Sequence, residues 1–249
     1  EDLDSSFAYS IQDEPSRNAA IVGLNDLVFT LPVTMINLPK IGRVKIFNSI
    51  TQEETEYTCT KISDEGLLKK YEVKINSKEN EPTIKYFFAW VTTEIKLVCE
   101  VNNWIDLNLV DNFGKQPFLY RDFPLIGTEN FHFPFVLNGM SFYPTEKRDS
   151  ILINENSGKP THNRKLLDLA IEECVPFTDS LIKLDCKNLY LLANSQLPGL
   201  DMEETAQQWY ISSQRKWRAE LLKRKLVETQ TENAVLEESF IPEIDLIES

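Results

Sequence analysis

At 249 residues, 42% of them apolar, the chain can bury a substantial core in one large domain or two small ones. A formal charge of −13, from 39 acidic against 26 basic residues, excludes wholesale binding to nucleic acid or to an anionic membrane, because both would repel such a surface. No run approaches the roughly 18 apolar residues that span a bilayer, and the opening EDLDSSFAYS lacks the basic start and apolar centre of a secretion signal, so a soluble chain is expected. The absence of an initiator Met points to a fragment or a processed chain. Cys59, Cys99, Cys174 and Cys186 show no C-x-x-C pairing and lie far in sequence from His132 and His162. That spacing argues against a zinc site and for buried, reduced thiols in a cytoplasmic setting.

Residues 1–20 are polar and contain Pro15, which predicts an irregular lead-in. A first helix is expected from about Leu24, capped near Asn25 or Asp26, with Leu27, Val28, Leu31 and Met35 on one side and Pro32 kinking or ending it. From Arg43 the period becomes two: RVKIFN, ETEYTCTKI, KKYEVKIN and IKYFFAWVTTEIKLVCEV, separated by polar turn clusters. Alternation such as Val44/Ile46 and Tyr57/Cys59 predicts an antiparallel meander with one buried face. Lys115 to Thr128, with Pro117, Pro124 and Gly127 among large apolar residues, reads as an extended, packed connector.

The stretch Phe131 to Asp149 joins this β-rich half to a helical one. Asn138-Gly139, flanked by aromatic and branched residues, predicts strand, tight turn and second strand, the chain leaving the sheet at Pro144. His132, between two Phe residues, is expected to be a packed or edge histidine. After a polar loop at Asn154 to Pro160, Thr161 can cap a helix with Leu167, Ala170 or Ile171, Cys174, Phe177 and Leu181 on one face and a bend at Pro176. A last helix from Asp201 would place Tyr210, Trp217 and Leu221 on one face and Lys223, Arg224 and Lys225 in its final turn. The basic group running from Arg215 is expected to be a solvated helix face, and the tail from Glu228 is acidic and weakly patterned. The fold class is therefore α+β. Residues 1–160 form a β-rich α+β domain, and residues 161–249 form a helical region packed on it or a small second subdomain.

No phosphate loop, dinucleotide fingerprint, nucleophile elbow or H-E-x-x-H helix occurs, so no motif supports a hydrolase built on scattered carboxylates. FPFVLNGMSFYPTEKRDSI, followed by THNRKLLDLAIEECVPFTDSLI, resembles the region downstream of the ATPase domain in sacsin-type proteins and their large bacterial relatives. The shared pattern is an apolar strand ending in Asn-Gly, an aromatic strand, an Arg-containing turn, a variable loop, an Asn, and a long helix interrupted by Pro. Here these are Phe135 to Leu137, Asn138-Gly139, Phe142-Tyr143, Arg148, Asn163 and the helix with Pro176. DLVFTLP, RDFPLIGTENF and the later WY, LLK and VE segments extend the resemblance weakly over most of the chain.

The resemblance implies kinship with GHKL ATPases, among which the ninety-kilodalton heat-shock chaperones carry a middle domain whose loop supplies an Arg to the γ-phosphate of ATP. Arg148 best matches that position, with Lys147 as a substitute. Its acidic neighbours offer an alternative, a local ion pair. The motifs that hold adenine and metal, E-x-x-x-N-A-x-D-A and D-x-G-x-G, are absent from this sequence. The resemblance therefore implies a segment that is not itself an enzyme and holds no cofactor, with ATP and Mg bound by an upstream domain acting in cis. Protein clients or partners would meet the exposed parts of the Tyr210, Trp217 and Leu221 face or of the Phe131 to Phe142 hairpin. A passive interaction scaffold without a nucleotide role is the alternative.

Overall fold

The computed structural model describes residues 5–6, 8, 10, 12–49, 51–78, 81–112, 114–129, 131, 133–154, 157–194, 204–228 and 233–235. The period-two stretches form the meander that the alternation demands: β1 (Arg43–Asn48), β2 (Glu53–Glu65), β3 (Leu68–Ser77), β4 (Thr83–Val91) and β5 (Ile95–Val101), each antiparallel to the next. The last sequence stretch splits into two strands at Thr92, whose hydroxyl accepts from the N–H groups of Glu94 and Ile95. The proline-rich connector supplies β6 (Leu119–Arg121) and β7 (Phe123–Pro124), and β8 is Val136–Gly139. β8 lies antiparallel to β5 and parallel to β6, so the mixed sheet has the order β1-β2-β3-β4-β5-β8-β6-β7.

At the centre of this sheet both faces are buried, not one. Ile95, Leu97 and Cys99 point into one apolar cluster while Val98 points into another with Phe87, Tyr120 and Val136. A strand covered on both sides reads as a continuous apolar run, as β5 does.

The first helix, α1, spans Glu14–Asn37, ten residues longer at its start than expected. Its cap is Asp13, whose carboxylate accepts from Ser16 N at 2.8 Å. Pro15 fits the first turn, where a missing N–H costs nothing. α1 continues through Pro32, with the hydroxyls of Thr30 and Thr34 donating to carbonyls one turn back. By length and composition α1 is also apolar enough to cross a membrane, contrary to the expectation from contiguous runs, which Asn25 and Asp26 interrupt. Its second half is core: Val33, Met35 and Ile36 are buried against the sheet. The Lys96 amine donates to Ile36 O at 3.1 Å and Asn37 O at 2.9 Å.

The opposite face carries α2 (Gly158–Lys183), a short 3-10 helix (Leu189–Asn194) and α3 (Glu204–Leu222). α2 starts three residues before Thr161, with Ser157 at its cap position, and runs through Pro176. Leu167, Cys174, Phe177 and Leu181 are all buried, as their spacing predicts, and of Ala170 and Ile171 it is Ala170 that is fully buried. Polar ties hold the layers together: Trp90 Nε1 donates to Glu173 at 2.7 Å, Trp209 Nε1 to Asp168 at 2.9 Å, and Arg224 to Asp179 at 2.7 Å. Lys223, Arg224 and Lys225 follow the end of α3 and are not in its last turn. β9 (Val227–Glu228) and β10 (Asn233–Ala234) form a separate two-stranded ladder.

Candidate functional site

Asn138-Gly139 does not form the expected turn. Both residues sit in β8, opposite Lys96 and Ile95, and neither has positive φ. Asn138 is buried, and its carboxamide oxygen accepts from Asp122 N at 2.7 Å, tying β8 to the β6–β7 corner. Gly139 is bare because the Phe142 ring folds back onto it and occupies the space of a Cβ. The turn comes two residues later, closed by Phe142 N to Gly139 O at 3.2 Å. The chain then runs away from β8 and does not pair with it, since β5 and β6 already occupy both edges of β8. Phe142-Tyr143 is accordingly not a sheet strand.

The second, tighter reversal carries Arg148. Pro144 bridges Ile151, Leu152 N donates to Tyr143 O at 3.0 Å, and Thr145 N donates to Ser150 O at 3.0 Å. Arg148 N closes the tip on Thr145 O at 3.0 Å, and Arg148 itself is left-handed at φ 57°. That is the position after a tight turn that glycine usually fills. The Thr145 hydroxyl donates to Asp149 Oδ1 at 2.6 Å. Arg148 and Lys147 are exposed, and neither forms an ion pair among the described residues. The local ion pair offered by the acidic neighbours is thus not made.

The base of this loop is gripped from α2. Asn163, fully buried, accepts from Tyr143 N at 2.9 Å and donates to Tyr143 O at 2.8 Å and Leu152 O at 2.7 Å. The adjacent Arg164 guanidinium donates to Ile153 O and, at 3.4 Å, to Thr161 Oγ1. On the other side Gly127, at φ 117°, lets Asp149 O approach to 2.8 Å of where a Cβ would stand. Outside the loop base, Ser141 Oγ and His162 Nε2 are 3.0 Å apart, the His162 ring meets the Tyr143 ring edge-on at 5.3 Å, and Lys159 Nζ lies 5.5 Å from the Tyr143 ring centre. The resemblance contains Asn163 as a letter. Its grip was invisible in the sequence, because a buried amide that satisfies another segment's backbone leaves no local periodic signature.

Tyr210, Trp217 and Leu221 share a face of α3, but that face points into the core, with exposures of 4%, 1% and 5%. As partner contacts they are corrected: Trp217 Nε1 is spent on Leu192 O at 3.0 Å, and Tyr210 packs edge-on to Phe131 at 5.6 Å. A crevice of about 20 Å³ beside Phe133, Trp209 and Tyr210 has room for roughly one water. In the 131–142 stretch Phe131, Phe135 and Phe142 are buried and Met140 is exposed. His132 lies outside the described residues.

All four cysteines are free; Cys99, Cys174 and Cys186 are buried and Cys59 partly so. Burial pushes the Cys59 thiol up to about 11 and holds those of Cys99 and Cys174 well above the usual range. No cluster of metal-ligating side chains occurs among the described residues. Comparison with protein-family models, with curated proteins and with solved structures finds no match.

Proposed function

We propose that this chain is the middle segment of a sacsin-like or heat-shock-chaperone-like ATPase, coupling ATP binding in an upstream GHKL domain to conformational change and to the binding of a client or partner. The segment is not catalytic on its own; ATP and Mg belong to the upstream domain, and Arg148 reaches the γ-phosphate from outside it. One observation carries this reading: an exposed guanidinium without an ion partner among the described residues, at the tip of a loop whose backbone is fixed on both sides. An arginine on a backbone held in this way presents a planar fork of donors to phosphate oxygens, and only its side chain is left to order on contact. The left-handed backbone at a long, cationic non-glycine residue supports the same reading, since such strain collects at functional sites.

The test is ATP turnover by the full-length protein, wild type against Arg148→Ala, with nucleotide binding measured in parallel. Turnover is expected to fall about tenfold or more, the factor that accompanies ~1.4 kcal/mol of lost transition-state stabilisation, while binding is kept. Lys147→Ala should have a smaller effect. Turnover unchanged in Arg148→Ala would remove the γ-phosphate role and leave the chain as an interaction scaffold.

A further inference from the structure

We infer that Asn163 is the positioning residue for Arg148, so that α2 sets where the guanidinium stands. The inference rests on the γ-phosphate reading of that arginine. The two residues that flank the loop at its base, Tyr143 and Leu152, are joined to each other by one backbone hydrogen bond, Leu152 N to Tyr143 O. Further bonds within the hairpin, Thr145 N to Ser150 O and Arg148 N to Thr145 O, keep its shape but do not attach it to the rest of the molecule. Asn163 adds three bonds to the same two residues, from a side chain with no solvent exposure. It uses both faces of its carboxamide: the oxygen takes the Tyr143 N–H, and the amide group gives to two carbonyls on opposite sides of the loop.

The helix that carries Asn163 is itself fixed to the rest of the molecule further along. Glu173 accepts from Trp90 on the sheet, and Asp168 accepts from Trp209 on α3. Asp179 pairs with Arg224 beyond the end of α3. A displacement of the helical layer therefore moves α2, and with it the base of the loop. Gly127 packs closely against Asp149 on the other side, and the Thr145 and Asp149 hydrogen bonds are internal to the tip, so Asn163 supplies side-chain bonds to the loop base from outside the loop.

Asn163→Asp separates this grip from the helix. The substitution keeps the volume and the acceptor for Tyr143 N–H, but replaces the two donated bonds with a carboxylate facing two carbonyl oxygens. Asn163→Thr, whose hydroxyl can donate to only one of them, is the milder second variant should the first not fold. Both are combined with Arg148→Ala in the full-length ATPase, reading turnover, nucleotide binding and amide hydrogen exchange of the 143–152 segment.

The expected result is a fall in turnover of about 10- to 100-fold in Asn163→Asp, the effect of misplacing a contact by about 1 Å, with nucleotide binding kept. Exchange at Arg148 and Leu152 should rise, and adding Arg148→Ala should cause no further fall, because both changes remove the same contact. The inference is overturned alone if Arg148→Ala is impaired while folded Asn163 variants turn over like wild type, if the two losses multiply, or if exchange in the loop is unchanged. Wild-type turnover in Arg148→Ala sinks the γ-phosphate reading, and the positioning role goes with it.

Discussion

Arg148 occupies backbone space that costs an L-residue about 1–2 kcal/mol. Glycine avoids that cost but gives back ~0.5–1 kcal/mol in the unfolded chain. Arg148→Gly should therefore leave stability unchanged or raise it by up to about 1.5 kcal/mol, read from the urea midpoint, while on the proposed γ-phosphate role ATP turnover by the full-length protein falls as in Arg148→Ala. A stability loss above that range would mean that the arginine side chain holds the loop together and is not simply presented by it. Gly139 is the opposite case. A methyl group there meets the Phe142 ring, which has no exposure, so Gly139→Ala should cost about 1–3 kcal/mol by overpacking. These two positions also mark what local sequence reveals. Asn-Gly carries the strongest turn signal in the chain, yet here the Asn is consumed by a tertiary bond to Asp122 and the Gly by a ring, and neither demand is visible three residues away. The arginine was visible as a residue. Its exposure and its left-handed backbone needed the fold.

Among the elements, the meander was legible because alternation writes a sheet directly, strand by strand, and the buried face of α2 was legible because its apolar spacing survives Pro176. The start of α1 was not, because Asp13 and Pro15 look like loop chemistry until they are seen as cap and first turn. Its far end is also tied to a residue 59 positions away: Lys96 bonds the last two carbonyls of α1. Lys96→Met should cost about 2–3 kcal/mol, since it strands two buried acceptors. Burial holds the Lys96 amine below its usual range, with Asp122 opposing the shift. The folded pKa is thus lower than the unfolded one, and between the two the unfolded state binds more protons. Stability relative to Lys96→Met should therefore rise with pH across the interval below about 10.5, and be lowest where the amine is charged in both states. Parallel urea titrations of the two proteins from pH 7 to 10 check the sign. A wild-type advantage that shrinks as pH rises would show that the buried charge is itself favourable.

At the scale of the whole molecule, the core does not stop at residue 160, where the composition changes. Phe88, Leu97 and Cys99 of the sheet share one apolar cluster with Cys174, Phe177 and Leu181 of α2, Cys186, and Trp217 of α3. The Phe135 and Phe177 rings, on opposite sides of that boundary, are 4.5 Å apart. Removing residues 161–249 would uncover the sheet face that holds Leu97 and Cys99, a cost no short β-meander meets alone. The thiols report on this directly. Burial raises Cys99 and Cys174 and pushes Cys186 up to about 12, so none of the three is a competent nucleophile in the folded chain. Cys59, on β2 and only partly buried, should react first with an aromatic disulfide reagent at pH 8. Cys99, Cys174 and Cys186 should then become reactive together, at one denaturant concentration coincident with the loss of helical circular dichroism. Labelling of Cys174 and Cys186 at lower denaturant than Cys99 would show instead that the helical half opens as its own unit. In that case α2 could leave the sheet without unfolding it, and the grip of Asn163 on the Arg148 loop would be released by the same motion.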